Sequence, residues 1–255
     1  MPKAAAYDPD AQAFITAAVI TDVTQQGAIN TLVLALKGYS IWTKFKAIWP
    51  ILGGTASQHK FNLKDPRDLD VAFRLTYGVG VTHSSTGMAG NGTSGFANTK
   101  ITPSAVLTLN STHYGYYSRT DNNSTQVDLG GLSGALQNLI QIRYANVGLF
   151  AVNQSAPYTT FANTNSQGFY VANRTANNVV NGWKNGAKVA TTANLSTGLL
   201  TINLYLLAYN NSGTTALYST KECAFASIGD GLTDAESANF YTAVQAYQTT
   251  LSRQV

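Results

Sequence analysis

The sequence predicts a mainly β protein: an antiparallel β-sandwich with a helical segment at its N-terminus and one helix at its C-terminus. Three observations support this fold class. From about Asp70 onward, strand-length apolar runs alternate with clusters of Gly, Ser, Thr and Asn. Asn185-Gly186 separates two strand-forming runs and predicts a two-residue hairpin turn, because both positions tolerate a positive φ. Helical periodicity is confined to the two ends of the chain.

Composition limits the possible classes of function. Only 11% of the 255 residues are charged, well below the roughly 25% of ordinary soluble domains. Neutral polar residues replace them, which is typical of extracellular or virion β proteins. The net charge of +4 comes without a block of basic residues, so we expect no nucleic-acid partner. No apolar run is as long as a membrane span, and the single cysteine, Cys223, excludes an intrachain disulfide.

Residues 1–54 are predicted to form a helical extension, and residues 55–255 the sandwich with its covering helix. Asp8-Pro9 and Asp22 are N-cap signals, and Gly38 is a natural C′ residue. The second helix has an apolar stripe that either docks on the domain that follows or anchors the protein to a partner or to its own copies. This stripe consists of Ile29, Leu32, Val33 and Leu36.

A hinge is predicted at Ser40–Pro50, ahead of the strands. Because hairpin-length connections dominate the rest of the chain, the sheets should be antiparallel. The predicted strands are 71–77, 95–98, 106–109, 114–119, 126–128, 136–144, 147–152, 168–172, 179–184, 187–191, 199–208, 216–218 and 222–228.

The Asn185-Gly186 turn fixes a predicted register. Lys184 then pairs with Ala187 and Trp183 with Lys188, and Gly182 faces Val189. The face that carries Val180, Ala187 and Val189 is predicted to be the core face, and the face with Trp183 is mixed.

The C-terminal segment begins with a helix signal. Thr233 and Glu236 have the spacing of a capping box. Apolar residues then recur at helical spacing, so this helix must cover an apolar surface of the sandwich or of the N-terminal helices. The residues of this stripe are Phe240, Val244, Tyr247 and Leu251.

The stretches GWKNGAKVA, LLTINLYLLAY and IGDGLTDAESANFYTAVQAY follow one another in the order strand, hairpin, long strand, final strand and helix. Together they resemble the second half of a concanavalin A-like, laminin-G-like jelly roll, a likeness that covers roughly residues 70 to 240. The whole chain is also similar to virion proteins of tailed bacteriophages. That resemblance implies a particle component, either a tail or fibre adhesin or a capsid decoration, and location in the virion.

Catalysis has little support in the sequence. Retaining glycoside hydrolysis needs two carboxyl groups about 5 to 5.5 Å apart, and the laminarinase-type jelly rolls carry Glu-x-Asp-x-Glu. Here only two glutamates occur, Glu222 and Glu236, and the second belongs to the predicted capping box. The three histidines have no metal-ligand spacing. Cys223 lies in an apolar run and is predicted to be a buried, inert thiol.

Sugar binding is the favoured chemistry. A ring that stacks on the C–H face of a sugar, beside amide groups that match its hydroxyls, is found at two places. The candidate glycan-binding residues are Trp183, Asn181 and Lys188 in the hairpin, and Tyr209, Asn210 and Asn211 at the next strand end. The alternative for Trp183 is a covered ring with the Lys188 stem across it.

No cofactor is required by this interpretation. Calcium is the one candidate ion, because jelly rolls of the laminin-G type often bind it through loop oxygens. Asp121, Asn123 and Asp128 are the candidate ligands, although they lack the EF-hand order.

The sequence therefore predicts a non-enzymatic phage virion protein, a homo-oligomer that binds a host-surface glycan and contacts other virion proteins. A capsid or tail decoration with purely structural contacts is the alternative. A glycan-degrading enzyme is the third and least favoured interpretation.

Overall fold

A computed structural model describes residues 6–255 of the chain. Five α-helices occur in this range, and two 3₁₀ turns lie at Trp42–Lys44 and Asp70–Ala72. The helices are α1 (Pro9–Ala17), α2 (Val23–Gly38), α3 (Ala56–His59), α4 (Pro103–Val106) and α5 (Asp234–Thr250). None of the helices described is long and apolar enough to cross a bilayer.

Seventeen strands account for the rest of the regular structure in residues 6–255. They are β1 (Phe45–Trp49), β2 (Thr76–Tyr77), β3 (Val81–Ser84), β4 (Gly87–Gly90), β5 (Ala97–Asn98), β6 (Thr112–Ser118), β7 (Leu129–Ser133), β8 (Leu136–Tyr144), β9 (Val147–Gln154), β10 (Thr159–Ala162), β11 (Gly168–Ala176), β12 (Val179–Lys184), β13 (Ala187–Thr192), β14 (Tyr205–Leu206), β15 (Tyr209–Asn211), β16 (Thr214–Ala216) and β17 (Cys223–Gly229).

The strands form two sheets that pack face to face. The first has the order β13-β12-β11-β6-β17-β4-β3, with β1 paired to β17. The second has the order β10-β9-β8-β7-β14-β5-β2, with β15 and β16 beside β7. All pairs are antiparallel except β15 with β7. The predicted fold class is confirmed: a mainly β, antiparallel sandwich of the jelly-roll type with helices at both ends.

The three longer helices cover one sheet only. A large apolar cluster joins α1, α2 and α5 to the outer face of the first sheet, where Tyr117, Phe169 and Phe225 are buried. A second cluster fills the space between the two sheets. We therefore call the first sheet the helix-covered sheet and the second the open sheet.

The N-terminal helices begin where the sequence predicts. The Asp8 side chain accepts a hydrogen bond from the Asp10 N–H, and Asp22 accepts one from the Gln25 N–H. The apolar stripe of α2 is fully buried within this chain, so the docking interpretation of the stripe agrees with the structure. The predicted C′ role of Gly38 is wrong: Gly38 ends the helix, and Ser40 adopts the left-handed conformation with a φ of 58°.

The predicted hinge at Ser40–Pro50 is also corrected by the structure. Phe45–Trp49 is strand β1, which pairs with β17 over Phe45↔Gly229 to Trp49↔Ala226. Trp49 is completely buried between the sheets. The predicted helical extension therefore supplies one strand to the sandwich. The apolar run Phe45–Trp49 resembles a linker in sequence, but it pairs with β17.

The hairpin follows the predicted register as far as Trp183↔Lys188. A β-bulge then places Gly182 opposite Ala190 instead of Val189. Asn185 and Gly186 have φ values of 48° and 76°, as the predicted turn requires. Val180 does face the core between the sheets, but Ala187 is exposed near the turn. The other face, with Trp183, is buried too, because α5 and the helical layer cover it.

Several strand predictions are wrong because the local sequence pattern does not show which segments pair with another strand. Residues 199–208 form only the two-residue strand β14, since Leu200 and Leu204 reach into the core from irregular backbone. Residues 106–109 lie at the end of α4 and in a loop. Strands β3, β4, β7, β10 and β15 were not predicted, because these short sequences become strands through pairing with their partners.

Candidate functional site

The predicted aromatic plate Trp183 has no open ring face in the structure. Its side chain is 6% exposed and belongs to the apolar cluster under the helices. The Lys188 ammonium lies 5.3 Å from the ring centroid and is 2.5 Å from Asp234 of α5. Asn181 is 5% exposed and accepts a hydrogen bond from the Thr191 hydroxyl at 2.8 Å. This set stabilises the helix–sheet contact and leaves no room for a sugar.

The second predicted set lies on the open sheet. Tyr209 is 5% exposed, and its ring covers Gly130, so close that a Cβ there would be 3.0 Å from the ring. Asn210 is a turn residue: its amide donates to the Asn203 carbonyl and accepts from the Gly213 N–H. Asn211 is exposed at the end of β15. Tyr209 thus supports a surface without presenting its own ring face.

The three candidate calcium ligands are engaged by other protein groups. Asp121 is 2.6 Å from Arg143, and a hydrogen bond from the Ser166 N–H, together with Arg143, lowers the pKa of Asp121. Asp128 is fully buried, where it accepts from the Ser219 hydroxyl.

Lys221 lies 3.5 Å from the buried Asp128, and the Asn123 amide donates to Asn146. Within residues 6–255, no group of three or more His, Cys, Asp or Glu side chains forms a metal site. The predicted ligand set is therefore not assembled into a calcium site.

Two histidines that are distant in sequence do meet. The Nδ1 atoms of His59 and His83 are 3.0 Å apart. Because the Nε2 of His59 accepts the Gly54 N–H at 3.1 Å, its proton is on Nδ1 and is donated to His83. The lone pair that a metal would need on His59 is used, so this contact is a hydrogen bond and not a pair of metal ligands.

The outer face of the open sheet carries a row of aligned residues. Strand register places Ala151, Leu139, Gly130, Tyr205 and Asn98 next to one another on successive strands. Because side chains alternate along a strand, all of them point away from the sandwich core. Tyr158 precedes β10 and packs beside Ala151 and Leu139 at one end of this row. Tyr158, Tyr205 and Asn98 are half-buried, whereas Leu139, Ala151 and Gly130 are buried. We call these six residues, together with Tyr209 and Phe96 beside them, the aromatic row.

Hydrogen bonds and stacking fix the aromatic side chains of the row. The Tyr209 hydroxyl donates to the Gln137 amide oxygen at 2.7 Å, and the Gln137 amide nitrogen donates to the Tyr158 hydroxyl. Burial raises the pKa of Tyr209, which keeps its hydroxyl protonated as a donor. At the other end, the rings of Phe96 and Tyr205 stack with centroids 4.8 Å apart. The face is therefore rigid before any ligand arrives.

A groove of about 510 Å³ adjoins the Tyr205 end of the row. Phe73 and Val106 form part of its wall, and so do Lys100 and Asn203, which lie two residues from Asn98 and Tyr205 along the chain, outside β5 and β14. The Lys100 ammonium is 3.3 Å from Asp70. The charges at the groove are thus paired, and the aromatic row itself contains neutral side chains only.

Sequence reasoning did not find Tyr158, Gln137, Phe96 or Tyr205 as site residues. One signal was present: Gln137, Leu139 and Gln141 alternate along the correctly predicted strand β8. That pattern marks a face with amides and apolar residues, but only the sheet order shows that Tyr158 and Tyr205 lie on the same face.

The sequence matches no protein-family model and none of the curated proteins. Similar solved structures are found among sialidases. The Trypanosoma rangeli sialidase in complex with sialic acid aligns with a TM-score of 0.50 at 13% identity, over 67% of this chain and 30% of that chain. The same enzyme in complex with a difluoro-nononic acid derivative aligns with a TM-score of 0.55 at 10% identity, over 85% of this chain and 39% of that chain.

Domain 4 of AbnA, an extracellular arabinanase from Geobacillus stearothermophilus, in complex with arabinotriose, gives a TM-score of 0.46 at 10% identity. That alignment covers 77% of this chain and 98% of that domain. The chain spans less than two fifths of the sialidase chains. At these identities, the two sialidase alignments show a shared fold.

Proposed function

We propose that this chain is a non-enzymatic glycan-binding protein and that the aromatic row is its binding face. One observation carries the proposal: the helices cover one sheet, whereas on the other sheet the rings of Tyr158 and Tyr205 are half-buried and the Tyr158 hydroxyl lies beside the Gln137 amide. Tyrosine supplies rigid amphipathic contact area with few torsions to restrain. A neutral surface of this kind matches a ligand with apolar C–H faces and many hydroxyl groups.

The ion pairs of the two glutamates favour a binding role over a catalytic one. Glu222 lies 2.7 Å from Arg119, and Glu236 lies 2.5 Å from Lys44 and caps α5. Catalysis of glycoside hydrolysis needs a pair of carboxyl groups that flank the scissile bond in an open cleft, whereas each of these two glutamates is held by a cation of the protein. We therefore expect no release of products from polysaccharides, and Glu222→Gln should not alter that result.

The test is a glycan array with the full chain and two variants. Tyr158→Ala and Tyr205→Ala should each reduce binding at least about fivefold, as expected for an aromatic anchor worth more than about 1 kcal/mol. Tyr39→Ala, at the end of α2 and 36% exposed, is the matched control and should bind like the parent chain. An array without signal, or equal binding by all variants, would refute the proposal.

We further propose that the protein is displayed on a bacteriophage particle. The low charge content and the resemblance to virion proteins support this location. Imaging of labelled particles tests it directly. A purely structural decoration remains the second candidate, because the outer surface of the helical layer exposes Val23 (74%) and Leu34 (51%).

If particle assembly uses that surface, the double variant Val23→Glu and Leu34→Glu should fail to incorporate into particles. Val79→Glu is the control, since Val79 is 88% exposed in a loop of the sandwich. Normal incorporation of the double variant would remove the support for attachment through the helices.

A further inference from the structure

Every residue that lines the groove at the Tyr205 end of the row is exposed or half-buried. The groove volume of about 510 Å³ is in the range of small-ligand sites. Its wall combines apolar and polar side chains: Asp70, Val71, Phe73, Lys100, Val106 and Asn203. The groove is therefore open to a ligand, in contrast to the buried centre of the aromatic row.

A carboxylate and an ammonium group lie side by side in this groove. The Lys100 ammonium is 3.3 Å from one oxygen of Asp70, and the other oxygen of Asp70 accepts a hydrogen bond from Arg74 at 2.8 Å. Apart from Asp70, the Lys100 ammonium contacts no acceptor within residues 6–255. Because an ammonium group has several N–H bonds, Lys100 retains donors for a ligand.

Asn203 adds an amide donor to the same groove. Its amide oxygen accepts a hydrogen bond from the Thr102 hydroxyl at 2.7 Å, and its backbone carbonyl accepts one from the Asn210 amide at 2.7 Å. These two bonds fix the side chain and the backbone. The Asn203 amide nitrogen has no hydrogen-bond acceptor in the described range 6–255, so it is available to a ligand oxygen.

Two of the lining residues have an unfavourable backbone conformation. Phe73 and Lys100 both have a φ of 60°, which lies in the left-handed region. The indole N–H of Trp49 donates to the Phe73 carbonyl at 3.0 Å, and the Lys100 N–H donates to the Asn98 side chain at 2.9 Å. Conformations of this kind persist where the surrounding structure fixes them, and they cluster at ligand sites. The groove is therefore arranged before a ligand binds.

We infer that this groove binds one uncharged sugar residue through two neighbouring hydroxyl groups. A hydroxyl group both donates and accepts hydrogen bonds. A vicinal diol therefore matches a carboxylate oxygen and an ammonium group that are 3.3 Å apart. The Asn203 amide is a further donor, and Phe73 and Val106 supply apolar wall for the C–H groups of the sugar.

The charges of the groove favour a neutral ligand. Asp70 and Lys100 are the two charged residues of the lining, and they compensate each other. An ionised sugar would therefore meet no unpaired opposite charge. This inference rests on the proposed glycan-binding function and adds the place and the chemical class of the sugar that is bound.

The first test removes the diol from the ligand. Glycans that bind the full chain on the array are treated with periodate, which cleaves vicinal diols, and then with borohydride, which reduces the resulting aldehydes to alcohols. The same glycans treated with borohydride alone are the control. In isothermal titration, affinity should fall at least about tenfold after oxidation and should not change in the control.

The second test removes the polar groups of the groove. Asp70→Asn and Lys100→Met should each weaken binding at least about fivefold, as expected for a hydrogen bond to a charged group. Asp65→Asn and Lys60→Met are the matched controls, because each alters a surface ion pair outside the groove, and both should bind like the parent chain. All four side chains are exposed or half-buried, and the urea midpoint of each variant verifies that it folds.

Binding that survives periodate, or equal binding by the groove variants and their controls, would overturn the inference while the proposed function stands. Tighter binding of sialyllactose, which is anionic, than of neutral lactose would also overturn it. An array without signal for the full chain would overturn both.

Discussion

At Gly186, both the backbone conformation and the neighbouring side chain disfavour any residue larger than glycine. Its φ of 76° is disfavoured for other residues, and a Cβ there would lie 2.6 Å from the Tyr241 ring. We expect Gly186→Val to lower the free energy of unfolding by about 1 to 3 kcal/mol. Urea denaturation measures this change, and an unchanged midpoint would show that the turn tolerates a side chain.

Gly27 provides the opposite control. It lies in α2 with no atom within 4 Å of an added Cβ. Alanine is the better helix former, so Gly27→Ala should raise the free energy of unfolding by about 0.5 to 1 kcal/mol. Comparison of Gly186→Val with Gly27→Ala separates the effect of backbone strain from the general effect of replacing a glycine.

Cys223 is predicted to be chemically silent in the folded protein. It is completely buried on β17, and burial raises the pKa of its thiol to about 12. Because the thiolate is the reactive form, a thiol reagent at pH 8 should label the denatured chain fully and the native chain only at the rate of unfolding. Rapid labelling of the native protein would contradict the structure around β17.

At the scale of elements, α5 and the helix-covered sheet depend on Phe240. Its ring contacts Phe45 and Phe169 with centroids 4.9 and 5.0 Å apart, and it is fully buried. Truncation leaves a cavity, so Phe240→Ala should cost about 3 to 5 kcal/mol in thermal or urea unfolding. Thr242→Ala, on the exposed side of α5, should change stability by less than about 0.5 kcal/mol. Equal effects would mean that α5 does not cover the sheet.

Elements with strong local signals could be predicted from sequence. The Thr233–Glu236 capping box is present in the structure, and strands β8 and β12 have the predicted bounds. Elements that depend on distant partners could not. Phe45–Trp49 is a strand because it pairs with β17, which is distant in sequence, and no local signal marks the bulge between Gly182 and Trp183.

At the scale of the whole molecule, the location of the candidate site could not be predicted from the sequence either. Sequence alone favoured Trp183, because an aromatic residue beside Asn and Lys has the composition of a sugar site. The helical layer covers that face, and its position is set by α2 and α5 together. The face that remains open depends on which sheet the helices occupy, a property of the assembled fold. Tyr209 lies beside the proposed face, where its buried hydroxyl donates to Gln137, which in turn donates to Tyr158.

The pH dependence of stability also belongs to the whole molecule, because it sums histidines from different elements. Burial lowers the pKa of His113 to about 4 and that of His59 to about 3, and it lowers the pKa of His83. In the unfolded chain these groups titrate near 6.5. The unfolded state therefore binds more protons below pH 6.5, and stability falls as the pH falls.

Above pH 6.5 the histidine contribution is fully present. Between pH 6.5 and 5, each histidine that stays neutral should cost about 2 kcal/mol of unfolding free energy. Urea midpoints at pH 7.5 and 5 measure the total. His113→Gln removes one titrating group and should flatten the profile. Because that variant also alters a buried contact with the Asp230 carbonyl, NMR titration of the parent chain provides a second readout, and a His113 signal that titrates near pH 6.5 would contradict the buried, neutral assignment.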